Sequence, residues 1–175
     1  MDAHALWELV DQARAAAGDD ADELDLVIDH LTTLLLEKDP DEIALIDQQL
    51  WQTLRDSHRA ELWMAAAVVN GAGRDDGFDA FRGWLIAQGQ EVFTRVVAAP
   101  DRLADLPAVV HAAHSGALLD GGEVLMLAAE VYQQVTGQEL PQGRFAVLPD
   151  FSAVDLTNDT MLRRHLPRLT ALFRS

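Results

Sequence analysis

The stretch AELWMAAAVVNGAGRDDGFDAFRGWLI, residues 60–86, carries the reading on which the fold turns. From Ala60 to Val69 the residues are apolar nearly all round a helical wheel, the pattern of a helix buried at the centre of a bundle. Asn70 and Gly71 both tolerate the left-handed backbone that closes helices, so they mark its end. After a short loop, Asp75 or Asp76 is placed to cap a second helix that runs to about Gln88, just before Gly89. A step of 100° per residue gathers Phe78, Phe81, Trp84, Leu85 and Ile86 of that helix into one broad arc. Arg82 falls inside the arc.

Outward from this centre the chain continues in helical periods. Leu6, Leu9, Val10, Ala13 and Ala17 predict a helix over about 3–17, with Asp2 as its cap and Gly18 as its end. Leu24, Val27, Ile28, Leu31, Leu34 and Leu35 predict another over about 21–37, whose acidic first turn, Asp22 and Glu23, suits the positive end of the helix dipole. Asp39, Pro40 and Glu42 form a capping box that starts a third, with Ile43, Ile46, Leu50 and Leu54 on its apolar face. Around RDSHR, residues 55–59, the helical pattern either continues or breaks. Further helices are expected at 91–98, in PAVVHAAHSG and in GGEVLMLAAEVYQQVTG, the last closed by Gly137, with a proline-bounded turn at APDRLADLP. The closing NDTMLRRHLPRLTALF reads as a helix interrupted at Pro167. Between them, residues 140–156 hold Pro141, Gly143 and Pro149 around RFAVL, too short and punctuated for more than one strand or an extended loop. No fixed-period repeat, low-complexity tract or strand-helix alternation is present. The expected fold is therefore all-α, an irregular bundle of about seven to eight helices forming one domain over residues 1–175, with an extended segment near 140–156.

Composition narrows the function classes. The chain has 175 residues, 49% of them hydrophobic, enough to bury a sizeable core. It has no cysteine, which removes disulfides, thiolate metal sites and a cysteine nucleophile. The N-terminus lacks a basic region followed by an apolar run, and no stretch reaches the ~18 apolar residues of a membrane span. A soluble cytoplasmic chain without membrane association is the expectation. Twenty-nine acidic residues against 13 basic ones give a formal charge of −16. A nucleic-acid binder normally carries a basic footprint, so direct nucleic-acid binding is disfavoured. The same charge suits a basic protein partner, and it equally describes a solvated surface that favours solubility.

A guanidinium does not lose its proton, so Arg82 inside an apolar arc must be paired and hydrogen-bonded. Asp75, Asp76 and Asp79 are near in sequence, whereas Glu61, Glu91 and Glu130 require other helices to deliver them. One reading makes Arg82 a buried ion pair that locks the loop to the bundle, its stem packed on the aromatics. The other makes Arg82, Asp75, Asp76 and Glu130 the polar groups of a pocket floored by Trp63 and Trp84, binding an anionic or planar ligand.

The same run, LWMAAAVVNGAGRDDGFDAFRGWLIAQGQEVF, resembles the signature of the bacterial family catalogued as domain of unknown function 4240. The positions that fit are Leu62, Trp63, Ala65, Ala66, Gly71, Asp75, Asp76, Phe78, Phe81, Arg82, Trp84, Leu85, Ile86, Gly89 and Phe93. LWELVDQAR at the start and LPRLTALF at the end are similar to the family's two ends. Ala72 stands where the family has a second glycine and Arg74 where it has a serine. The resemblance implies a small, mainly helical bacterial domain, sometimes joined to other modules such as WGR domains, and it implies no reaction.

Other constellations are weaker. His111 and His114 share a helix face at i, i+3, but no carboxylate-plus-histidine repeat accompanies them, so no metal or cofactor is expected. Ser57-His58, Ser115 and Ser152 lack a glycine-flanked elbow or a triad context. GAGRDDG follows no strand and precedes no lysine, so it is neither a P-loop nor a dinucleotide fingerprint. Asp75 and Asp76 could hold a hard cation, although a cap and a dipole partner explain them more simply. The function expected is a non-enzymatic binding or interaction module, protective (immunity-like) or regulatory; the alternative is a small-molecule enzyme or ligand-binding protein using Arg82, Asp75, Asp76 and Trp84.

Overall fold

The computed structural model describes residues 3–71, 75–141, 150, 151 and 153–174, with 75 and 76 described as backbone alone. Ten α-helices follow one another among the described residues: α1 (His4–Ala17), α2 (Leu24–Leu36), α3 (Pro40–Asp56), α4 (Ala60–Asn70), α5 (Asp75–Ile86), α6 (Gln90–Ala98), α7 (Pro107–Ser115), α8 (Gly122–Thr136), α9 (Asp159–His165) and α10 (Pro167–Phe173). Two 3-10 turns, Gly18–Asp20 and Pro100–Asp105, complete the regular structure, and no strand occurs among the described residues. The fold is all-α, as the periodicity predicts. The helix number exceeds the expected seven to eight because short pieces count separately: the interruption expected at Pro167 divides the closing segment into two helices, with Pro167 the first residue of α10. Of the segment near 140–156, residues 142–149 and 152 lie outside the described residues; Leu140, Pro141, Asp150 and Phe151 have no regular structure.

Most helix ends follow the sequence signals. The Asp39 and Glu42 capping box is formed, with the Asp39 N–H donating to Glu42 Oε2 at 3.0 Å. α3 and α4 are separate helices, so RDSHR is a break. α2 begins three residues later than the periodicity predicts, because a 3-10 turn occupies its approach: the Ala21 N–H bonds to the Gly18 carbonyl at 3.1 Å and that of Glu23 to Asp20 at 2.9 Å. Asp25, not Asp22 or Glu23, is consequently the acidic residue of its first turn.

α4 is the central element, with every residue from Leu62 to Val69 buried. It packs against α5, α7 and α10, while α8 forms a second centre against α2, α3 and α5. One contiguous apolar cluster runs through both centres. α5 meets the chain entering α8 backbone to backbone: the Gly121 N–H donates to the Ala80 carbonyl at 2.8 Å. A Cβ at Gly83 would lie 2.3 Å from Gly121 O, and one at Gly121 would lie 2.2 Å from Trp84 N. Both glycines are required for this approach. The Asn70 side chain holds the same loop from the α4 side, donating to Leu119 O at 3.0 Å and accepting from Leu119 N at 2.9 Å. At the other end of the chain, the Asp101 carboxylate accepts from the backbone N–H groups of Arg168, at 3.1 Å, and Leu169, at 2.9 Å, and so caps α10 from a distant part of the sequence.

Because the closest atoms a new methyl would meet are backbone, the clash on neither side of the α5 contact is relieved by moving a side chain aside. Gly83→Ala and Gly121→Ala are each expected to lower unfolding free energy by about 3 kcal/mol, at the upper end of overpacking costs. Urea denaturation followed by circular dichroism checks this, and a loss below about 0.5 kcal/mol in both variants would contradict the contact.

Candidate functional site

Arg82 is 1% exposed and is the largest fully buried side chain among the described residues. The arc that carries it is buried as well, with Phe81, Leu85 and Ile86 at 0%. Its partners come from three directions. Nη1 donates to the backbone carbonyl of Leu54 and lies 3.4 Å from Ser57 Oγ. Nη2 pairs with Asp79 Oδ1, one turn earlier on α5, whose side chain is 48% exposed. The guanidinium carbon sits 4.1 Å from the centroid of the Phe78 ring, a cation–π arrangement. Nε is buried and finds no hydrogen-bond partner among the described residues. Burial pushes the Arg82 pKa down from the ordinary value and the Asp79 charge opposes that shift, leaving the group protonated.

The Leu54 carbonyl belongs to the last turn of α3, where carbonyls have no intrahelical donor. Ser57 is 1% exposed, and its Oγ also donates to this carbonyl, at 3.0 Å. Arg82 therefore brings positive charge to the negative end of the α3 dipole and ties α5 to the corner between α3 and α4. Above that corner the His58 ring stacks on Phe151 at 4.6 Å between centroids, and Trp63 lies 5.7 Å from the same ring.

The structure disperses the other candidates. Trp63, 7% exposed, and Phe78 line a cleft of about 290 Å3 together with Asn70, Gly71, Leu118 and Asp120. Trp84, 5% exposed, is not among its walls; it packs beside Phe81 at 5.8 Å. The side chains of residues 75 and 76, and residues 72–74 before them, lie outside the described residues. Glu130 is on α8, in a separate cleft of about 520 Å3 between α3 and α8. Glu61 and Glu91 are exposed, and Asp79 is the carboxylate that meets Arg82. His111 and His114 are exposed, and His114 Nδ1 is 2.8 Å from Val110 O on its own helix. No three His, Cys, Asp or Glu among the described residues gather as a metal site would require.

Three groups escape the sequence reading, two at the Arg82 corner and one in the α3–α8 cleft. The Leu54 carbonyl carries no residue-type signal, and Ser57 is a hydroxyl whose burial only the α3–α4 corner creates. Asp47 is the third: it lines the α3–α8 cleft, its Oδ1 is shielded from solvent without a hydrogen-bond partner among the described residues, and burial raises its pKa above 3.8 despite a bond from Trp51. Its sequence signal is weak, an acidic residue one position beyond Ile46 on the apolar stripe.

Two expectations follow. Arg82→Ala should cost about 3–5 kcal/mol in urea unfolding, through a cavity and the loss of one of the two donors that the described residues give the Leu54 carbonyl, with Arg82→Lys retaining part and Asp79→Ala losing less because Asp79 reaches water. Equal losses in Arg82→Ala and Asp79→Ala would refute this ordering. A folded pKa raised above 3.8 means that the native state holds the Asp47 proton more tightly, so this carboxyl lowers stability as pH rises through that window. Asp47→Asn should then raise the urea midpoint at pH 7, and the advantage should shrink as pH falls toward 3.8.

Among the described residues, no helix is long and apolar enough to cross a membrane. No curated protein and no solved structure matches the chain. A family model described as a protein of unknown function (DUF4240) matches residues 1–134, from the start of the chain through most of α8, so that the likeness read at the closing segment falls beyond the matched residues. The chain, with α4, α5 and Arg82 inside the match, belongs to the DUF4240 family.

Proposed function

We propose that this protein is a single-domain, non-enzymatic binding module of the cytoplasm that docks a basic protein partner through an acidic face centred on the approach to α2. The distribution of charge carries the reading. The first fifty residues hold fourteen acidic and two basic side chains, a net of −12 out of the −16 of the whole chain. Asp19, Asp20, Asp22, Glu23, Asp25 and Asp29 are all exposed along the 3-10 turn and α2. The nearby Arg14 offers these carboxylates little relief, since its Nη1 donates to the Ala87 carbonyl at 2.9 Å and to that of Ala21 at 3.3 Å. Like charges held this close repel one another, and a basic surface relieves that repulsion while being steered toward it from a distance. A protective or regulatory partner, neutralising a basic toxin or enzyme, is the concrete form of such a module.

The test replaces the six residues with Asn or Gln, which removes charge and keeps shape. In extract from the source cell, the unaltered protein should retain a basic protein at low salt and release it by about 0.5 M salt, where screening is nearly complete. The neutralised variant should retain none of it. Identical capture by both proteins, or turnover of a substrate without a stable complex, would sink the proposal.

A further inference from the structure

The cleft between α3 and α8 has a volume of about 520 Å3, within the range of small-molecule sites. Trp51, Leu125 and Met126 supply apolar wall, and Glu139, Leu140 and Pro141 border it beyond the end of α8. Asp47, Glu130 and Glu139 line it along with Arg55, so that among the described residues its lining is net acidic.

We propose that this cleft binds a small organic cation, an ammonium group carried on an apolar body, with the ammonium donating to the Asp47 carboxylate and the body lying against Trp51, Leu125 and Met126. This goes beyond the docking of a basic protein and does not rest on it. Asp47 is the determining group. Its carboxylate takes a hydrogen bond from Trp51, while Oδ1 is out of water without a donor among the described residues, a costly state for a group that must ionise at neutral pH. An ammonium in the cleft supplies the opposite charge beside a partly buried carboxylate, where screening is weak, and the Trp51 face adds a cation–π contact if the nitrogen lies over it.

The alternatives fit less well. An anion meets three carboxylates. A neutral apolar molecule would fill the walls and leave Asp47 as it is. A metal ion needs several oxygen ligands at once, and no three acidic or histidine side chains converge here or elsewhere among the described residues. Arg55 lies eight residues further along α3, about 12 Å of helix, and makes no ion pair among the described residues. It repels a cation at that end, so it directs the ammonium toward Asp47.

The probe is 4-fluorophenethylammonium, titrated into the full chain at pH 7 and followed by fluorine NMR. Saturable binding is expected, with 4-fluorophenethyl alcohol binding at least about tenfold more weakly because it lacks the charge. Asp47→Asn should weaken the amine by about tenfold or more while remaining folded by circular dichroism. Met126→Trp, which fills the cleft from its exposed side, should abolish binding and keep the melting temperature. Absence of saturable binding, equal binding of amine and alcohol, or unchanged affinity in either variant would overturn the proposal.

Discussion

A permanent positive charge inside an apolar core is the constraint around which the centre of this molecule is arranged. Arg82 cannot shed its proton, so burial is tolerable only where partners are already held in place. The end of α3 provides one in the Leu54 carbonyl, itself lacking a helical donor, and the preceding turn of α5 provides another in Asp79. Two needs, a helix-end carbonyl without an intrahelical donor, served otherwise among the described residues by Ser57 Oγ alone, and a buried cation, meet in one bond. The position of α5 relative to the α3–α4 corner is thereby fixed by bond directions as well as by shape.

Gly83, the next residue along, fixes α5 from another side. Adjacent helix positions point about 100° apart, so Arg82 and Gly83 present different faces of α5. One reaches the end of α3; the other admits the backbone of the loop that enters α8. That loop is held again by the paired amide bonds of Asn70. The chain from α3 to α8 is thus joined through backbone groups at three points, where no exchange of one apolar side chain for another can substitute. Apolar burial supplies most of the driving force, and these polar contacts select one arrangement among the many that burial alone would allow.

Much of this was legible because it depends on period and residue type. The apolar run of α4, the α5 arc with Arg82 inside it, the Asp39 and Glu42 box and the separation of α9 from α10 at Pro167 all follow from local chemistry. The need for a carboxylate at Arg82 was legible too, and Asp79 one turn away is the partner that helix geometry offers. What the sequence concealed are contacts to the main chain. The Leu54 carbonyl has no side-chain identity, and Gly83 within a helix signals close approach without naming Gly121. Glu130 illustrates the converse: a suitable residue type lies on α8, but the turn of that helix faces it to α3 and not to Arg82. Long-range placement of that kind depends on the packing of several helices at once.

The core and the surface consequently differ in what they offer to another molecule. At Arg82 two of the three guanidinium nitrogens have partners and the ring face of Phe78 covers the group, so a ligand arriving there would compete with bonds that hold the fold. On the acidic approach to α2 the charges are solvated, and their attraction for a partner fades over a Debye length, roughly 8 Å at physiological salt. In the α3–α8 cleft the carboxylate of Asp47 is partly withdrawn from water, where charge interactions are screened far less. Salt therefore separates the two surfaces physically: it should dissolve an association that rests on the exposed aspartates while leaving one that rests on Asp47 largely in place. The two surfaces need not serve the same partner, and nothing in their geometry requires them to act together.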